Sequence, residues 1–273
     1  MSEEMSSGYI HSFTEQEQQR LIHQAEFLVP WVHREIDYRG REKVLEVGCG
    51  VGAQLRILCR RFPETKFTGL DAAPEQIARA KILLADECAA GKIRLGTGTA
   101  GDLPFSNAAF DGIFFCWVFE HLADPPAAMA EAARVLKPGG VLFASEVFNT
   151  GVYCDPPRPA LMNYWREFNR LQREFGGHPD IGIRLANLAA EAGLREIELR
   201  SIAPHLDKRL APAQRQEMAD YFCGIFSSGA AELIKHNRVT PELVAAMQAD
   251  FAAIAADPDS IIVYTAFQLR ALR

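Results

Sequence analysis

Glu46-Val47-Gly48-Cys49-Gly50-Val51-Gly52 puts three glycines within five residues and a carboxylate two positions ahead of the first. Glycines at this spacing let a strand turn sharply into a helix and bring backbone amides close to a ligand without Cβ collisions. Asp71 follows about twenty residues on, at the end of a second apolar run, where a carboxylate can grip both hydroxyls of a ribose. Taken singly, each half is as readily a tight turn or a solvated acid. In this order and spacing they point together to a nucleoside ligand. The third glycine comes one residue early for the dinucleotide pattern. Glu46 would also repel a pyrophosphate, whereas a cationic amino-acid moiety would be welcome beside it.

A second set of side chains has the chemistry to move protons: Glu120, His121, Glu146, His178 and His205. Glu146 ends the fifth apolar run and ranks first. His121 opens the segment after the fourth run, where capping or packing is the alternative to chemistry. Around them the chain is aromatic and neutral: Phe148, Asn149, Tyr153, Tyr164, Trp165, Phe168 and Phe175, then Tyr221, Phe222 and Phe226. Any one of these is as readily core as site. As a group they suggest a compact apolar chamber for a small ligand, and argue against a protein or tRNA acceptor. Glu146, Asn149, Tyr153 and His121 form the candidate catalytic set.

These residues must be positioned by strands and helices. Short apolar runs at 43–47, 66–71, 93–95, 110–116 and 141–145 alternate with helical stretches after 52, after 74 and over 124–136. That rhythm means βαβ units and a parallel sheet covered on both faces. Lys137-Pro138-Gly139-Gly140 closes the last of these helices, with Gly139 or Gly140 as its left-handed cap. Leu21, Ile22, Ala25, Leu28 and Val29 give one buried face to a helix over 13–37, which Thr14 and Glu17 open as a capping box. Beyond Phe148 come a proline- and aromatic-rich segment with a helix over 161–175, strand character at 194–202 and 260–269, and a helical stretch over 210–256. One domain over 1–273 is expected. It has a helical lid (1–40), a ligand-binding core (41–150), two cap insertions (151–193 and 203–257) and final strands at 194–202 and 258–273.

The chain has 273 residues, 48% hydrophobic and 23% charged, with a net charge of −6, enough to bury a sizeable core and too apolar for disorder. The acidic balance and the lack of a Lys/Arg run argue against nucleic acid as a partner. No apolar stretch is long enough for a membrane span, and Met1-Ser2-Glu3-Glu4 is unlike a secretory signal. Six scattered cysteines without a C-x-x-C pair suit reduced thiols rather than disulfides or a metal site. A cytoplasmic protein, monomeric or homodimeric, is expected.

The glycine loop resembles motif I of the class I S-adenosylmethionine (SAM) methyltransferases, and Asp71 resembles their ribose-binding acid. Leu103-Pro104-Phe105, Phe110-Asp111 and Leu136-Lys137-Pro138-Gly139-Gly140 are similar to later landmarks of the ubiquinone/menaquinone-methyltransferase-like branch. The resemblance spans residues 43–149. It implies an α/β fold, a Rossmann-like doubly wound seven-stranded sheet with an antiparallel last strand over 261–269, and SAM as cofactor. It also implies that Gly48, Cys49 and Gly50 wrap the methionine portion, with Glu46 orienting the loop and the charged amine. Asp71 would take the ribose and Ala72 the adenine. The family's adenine-bonding acid has its place at Thr99, so either Thr99, with Ala100 beside it, or Asp102 from a shifted loop makes that contact. Cys116 and Trp117 would meet the methionine part, and Trp117 and Phe119 could offer a π face to the sulfonium. The N-terminal helix, with Tyr9 ahead and Arg20 and Gln24 on it, either resembles the lid of small-molecule methyltransferases or packs merely to hide its stripe.

Methyl transfer to a small molecule is the leading expectation. Glu146-Val147-Phe148-Asn149-Thr150 has Asn where an acid or histidine would serve as base, which opens a second. Azetidine-2-carboxylate synthases are similar in kind: they cyclise SAM itself and release methylthioadenosine. A non-catalytic SAM-binding protein is a remote third, since the loop and Asp71 are intact.

Overall fold

A computed structural model describes residues 15–273, with side-chain surroundings from residue 18 onward. Tyr9 and Thr14 lie outside these described residues, and so do the side-chain surroundings of Glu17, the other half of the expected capping box. The alternating runs form the strands β1 (Lys43–Val47), β2 (Lys66–Asp71), β3 (Ile93–Thr97), β4 (Phe110–Cys116) and β5 (Leu136–Val147). Between them run α3 (Ala53–Arg61), α4 (Pro74–Leu83), α5 (Ala85–Ala89) and α6 (Pro125–Val135), preceded by α1 (Glu15–Phe27) and α2 (Val29–Val32). After β5 come β6 (Tyr153–Asp155), α7 (Pro159–Glu174), α8 (Leu185–Glu191), β7 (Arg195–Ile202) and β8 (His205–Leu206). The chain closes with α9 (Pro212–Ser227), α10 (Ala230–Lys235), α11 (Pro241–Ala256), β9 (Ile261–Val263) and β10 (Ala266–Leu272).

Seven strands make one sheet in the order β3-β2-β1-β4-β5-β10-β7. The first five are parallel, and β10 runs antiparallel between β5 and β7. Both faces are covered, as the apolar runs demand. In β4, Phe114 belongs to one core, while Ile113 and Phe115 on either side belong to the other. Strand order reverses between β1 and β4, so their carboxyl ends open a crevice, the place where open α/β sheets receive ligands.

Three sequence expectations change. The run over 261–269 is two strands. Ile261–Val263 pairs with β6 and β8 in a small second sheet, and only Ala266–Leu272 is the reversed strand. The chain bends at Tyr264, whose backbone N–H donates to Pro204 instead of a ladder partner. The helix over 13–37 stops at Phe27 and restarts briefly around Pro30, which cannot donate the hydrogen bond an unbroken helix needs. Gly139 is left-handed (φ +73°) but does not cap α6, which passes at Leu136 straight into extended chain. Its N–H instead donates to the carbonyl of Arg273, tying β5 to the chain's end.

Candidate active site

The glycine loop is built from the strand it leaves and the strand beside it. Gly48 and Cys49 both donate their N–H to the Leu70 carbonyl, at 2.7 and 2.9 Å. Gly50 donates to Asp71 Oδ2 at 2.8 Å, and Ala73 to Asp71 Oδ1 at 2.9 Å. Asp71 thus fixes the loop while presenting its remaining lone pairs outward. Burial pushes its carboxyl up, against these backbone bonds. Gly48 sits at φ +71°, and a Cβ there would lie 2.5 Å from a Val118 methyl. Gly50 (φ +50°) has nothing within 4 Å of a Cβ position, so its backbone faces open space. Glu46 is 2% exposed, and its Oε2 has no hydrogen-bond partner among the described residues. Burial and then the charge of Asp71 hold its carboxyl well above the ordinary range.

These groups edge a cavity of about 740 Å³ that runs from β1 and β2 to the helical cap. Its walls include Glu46, Gly48, Cys49, Gly50, Asp71, Ala72, Thr99 and Ala100, then Cys116, Trp117, His121 and Asn149. Arg20 and Gln24 of α1 roof one side, where Phe27 stacks on Tyr221 of α9 with ring centroids 4.0 Å apart. Trp165, Phe168, Phe175, Phe222 and Tyr264 close the far end. There Asn149 accepts from the Tyr264 hydroxyl and donates to Asn169 Oδ1, both at 2.9 Å, while its backbone carbonyl accepts from Trp165 Nε1.

Trp117 sits at the centre in the left-handed region (φ +59°), a strained state for a bulky side chain, with its indole N–H buried and unpartnered among the described residues. Glu146 holds that turn. Its Oε1 accepts from the N–H of Val118 and Phe119 at 2.8 and 2.9 Å, and its Oε2 from Glu120 at 3.4 Å. Burial and the neighbouring Glu120 push its carboxyl up to about 8.

Residues 45–144 match the family model described as a methyltransferase domain. That segment is similar to the class I SAM-dependent methyltransferases. Over 165 residues, 60% of this chain, the sequence is 28% identical to the O-methyltransferase cnsE of Penicillium expansum, covering 56% of that protein. It is 32% identical over 145 residues to a demethylmenaquinone methyltransferase of Symbiobacterium thermophilum, 50% of this chain and 55% of that one. The chain therefore spans little more than half the length of the curated relatives it matches. The fold extends further. A putative sarcosine dimethylglycine methyltransferase from Galdieria sulphuraria superposes with a TM-score of 0.56 at 21% identity, over 96% of this chain and 92% of that one.

The cavity fits SAM on two of its own features: the orphaned Glu46 oxygen, which suits an ammonium group, and the open cradle at Gly50. Its geometry also corrects several candidates. Glu146 is fully buried, spends its oxygens on backbone amides and does not line the cavity. Tyr153 is 63% exposed on β6, away from the cavity. Phe119 lies in the core against Phe115 rather than facing the cavity. Phe148, Tyr164 and Phe226 likewise leave the wall to their neighbours. Thr99 lines the cavity, whereas Asp102 is exposed and does not. Gln54, Gln76 and Tyr264 line it unforeseen. Gln76, 4% exposed beside Ile77 on the buried side of α4, is a polar residue in an apolar stripe and was the one visible signal.

Proposed function

We propose that this chain is an enzyme that binds SAM and transfers its methyl group to a small, largely apolar molecule. One observation carries the reading. A single cavity joins an unpartnered buried carboxylate and a strand-end aspartate, at the glycine loop, to a mostly aromatic chamber under the cap. Glu46 would hold the amine of SAM, the Gly48–Gly50 backbone would follow its methionine chain, Asp71 would take the ribose, and Ala72, Thr99 and Ala100 would flank the adenine. SAM supplies a methyl carbon already activated by the adjacent sulfonium. What remains for the protein is to align the acceptor, exclude water and take up any proton the acceptor sheds. Trp117 and the cap aromatics provide the dry wall. His121 and Glu120 are the acid–base side chains that line it beside Trp117.

A second reading, cyclisation of SAM on itself, has one feature in its favour: the amide–phenol pair Asn149–Tyr264 puts a neutral acceptor on the wall. Incubating the purified protein with SAM and a metabolite extract, followed by mass spectrometry, tests both. S-adenosylhomocysteine that forms only with the extract supports methyl transfer. Methylthioadenosine formed from SAM alone would replace it with cyclisation.

A further inference from the structure

The cavity carries more negative charge than SAM binding uses. Glu46, Asp71, Glu120 and Asp124 line it, against one Lys or Arg side chain among the described lining residues, Arg20 on α1. The proposed placement of SAM uses Glu46 and Asp71 and leaves Glu120 over. Glu120 is 7% exposed. Its Oε2 accepts from Gln172 Nε2 at 2.8 Å, and its Oε1 lies 3.7 Å from His121 Nε2. Gln172 stands on α7 between Phe168 and Phe175, on the stripe that begins at Trp165, so this bond crosses from the turn after β4 to the cap. The same acid makes itself felt across the chamber: after burial, the charge of Glu120 is the first cause that holds the Tyr264 phenol well above its usual range.

We propose that Glu120 is the counter-charge for a basic nitrogen and that the acceptor is an apolar amine. The proposal rests on the reading of a small-molecule acceptor given above. A buried carboxylate held by one side-chain amide, with the His121 nitrogen at 3.7 Å beyond hydrogen-bond reach, keeps acceptor capacity to spare, and a cationic or N–H-donating ligand group takes it up. The faces of Trp117, Phe168 and Tyr264 add attraction for a cation and bury an apolar body. A carboxylic acid would be repelled at the same place, and an alcohol would leave the charge of Glu120 unbalanced.

The test is binding to the protein saturated with S-adenosylhomocysteine, measured by calorimetry with three probes of one shape: phenethylamine, 2-phenylethanol and 3-phenylpropionate. The expected order is the amine at least about tenfold tighter than the alcohol, as a charge-assisted hydrogen bond provides, with the acid weakest. In Glu120→Gln the amide oxygen still accepts from Gln172, so the wall stands. The amine's advantage should then fall below about threefold while S-adenosylhomocysteine affinity stays within about twofold. Glu120→Asp, which keeps the charge, should retain part of the preference. An alcohol that binds as tightly as the amine, or a preference that survives in Glu120→Gln, overturns the proposal. Because the readout is binding, an amine that binds but is never methylated would count against methyl transfer and leave the role of Glu120 standing.

Discussion

Glu46 holds a carboxylate oxygen that no group among the described residues satisfies, and burial raises its carboxyl well above the ordinary range. A bound ammonium pulls that carboxyl back down, so SAM binding should release a proton and tighten as pH rises. Calorimetry in buffers of different ionisation enthalpy should show the release, and Glu46→Gln should lose it together with about 10- to 100-fold in affinity, the worth of a charge-assisted hydrogen bond. Unchanged affinity would remove Glu46 from the site. Glu146 makes a different prediction. Its carboxyl stands at about 8 in the folded chain against an ordinary 4.5, so the folded state keeps a proton that the unfolded state gives up. Stability should therefore fall as pH climbs from about 4.5 to about 8 and level off above, and Glu146→Gln should flatten that slope in denaturant titrations. Glu46 and Asp71 were legible in the sequence because their places relative to the glycines are distinctive. The role of Glu146 was not, because a strand-end acid looks the same whether it faces a ligand or the amides of the next turn.

The central strands β1 and β4 were readable from their own apolar runs, because burial on both faces leaves no polar alternation to confuse them, whereas the edge strand β3, with Arg94 and Thr97 exposed, showed only its first three residues. The breaks were harder. Nothing in Ile261-Ile262-Val263-Tyr264-Thr265 marks where the chain leaves the small sheet for the large one, since that bend is set by tertiary partners of Tyr264. The helix α1 shows the same limit. Its stripe predicted a buried face, and the structure divides that face between roofing and packing. Leu21, Gln24 and Ala25 line the cavity, while Ala25 also packs with Val51, Ala53 and Ile57 of the loop and α3. A helix that covers the ligand as well as the core should be steadied by the ligand. Amide hydrogen exchange across Glu15–Phe27 should slow by about tenfold or more when SAM saturates the protein, because closing the cavity raises the cost of local opening. Exchange that is indifferent to SAM would make α1 packing only.

A parallel sheet covered on both faces follows from the alternation of strand with helix, and that alternation is written along the sequence. The cap's place is not, because its aromatics read equally as wall or core until the helices are set against the sheet. Once set, they share one core with it. Phe67 and Phe143 of the sheet belong to the same cluster as Trp165, Phe222 and Phe251 of α7, α9 and α11. Arg215 on α9 binds the two cap helices to each other, donating to the carbonyls of Ile254, Ala255 and Asp257 where α11 ends. A cap joined in this way should not melt apart from the sheet. Thermal unfolding followed by far-ultraviolet dichroism and by tryptophan fluorescence should give coincident transitions. SAM at a hundred times its dissociation constant adds about 2.7 kcal/mol of stability. At a few degrees per kcal/mol for a chain of this size, both curves should move up together by roughly 5–10 °C. In Asp71→Ala, which lacks the ribose-binding carboxylate and the anchor of the Gly50 loop, neither should move. Two separated transitions, with SAM raising only one, would make the cap an independent folding unit that closes over the ligand rather than a wall built into the same core.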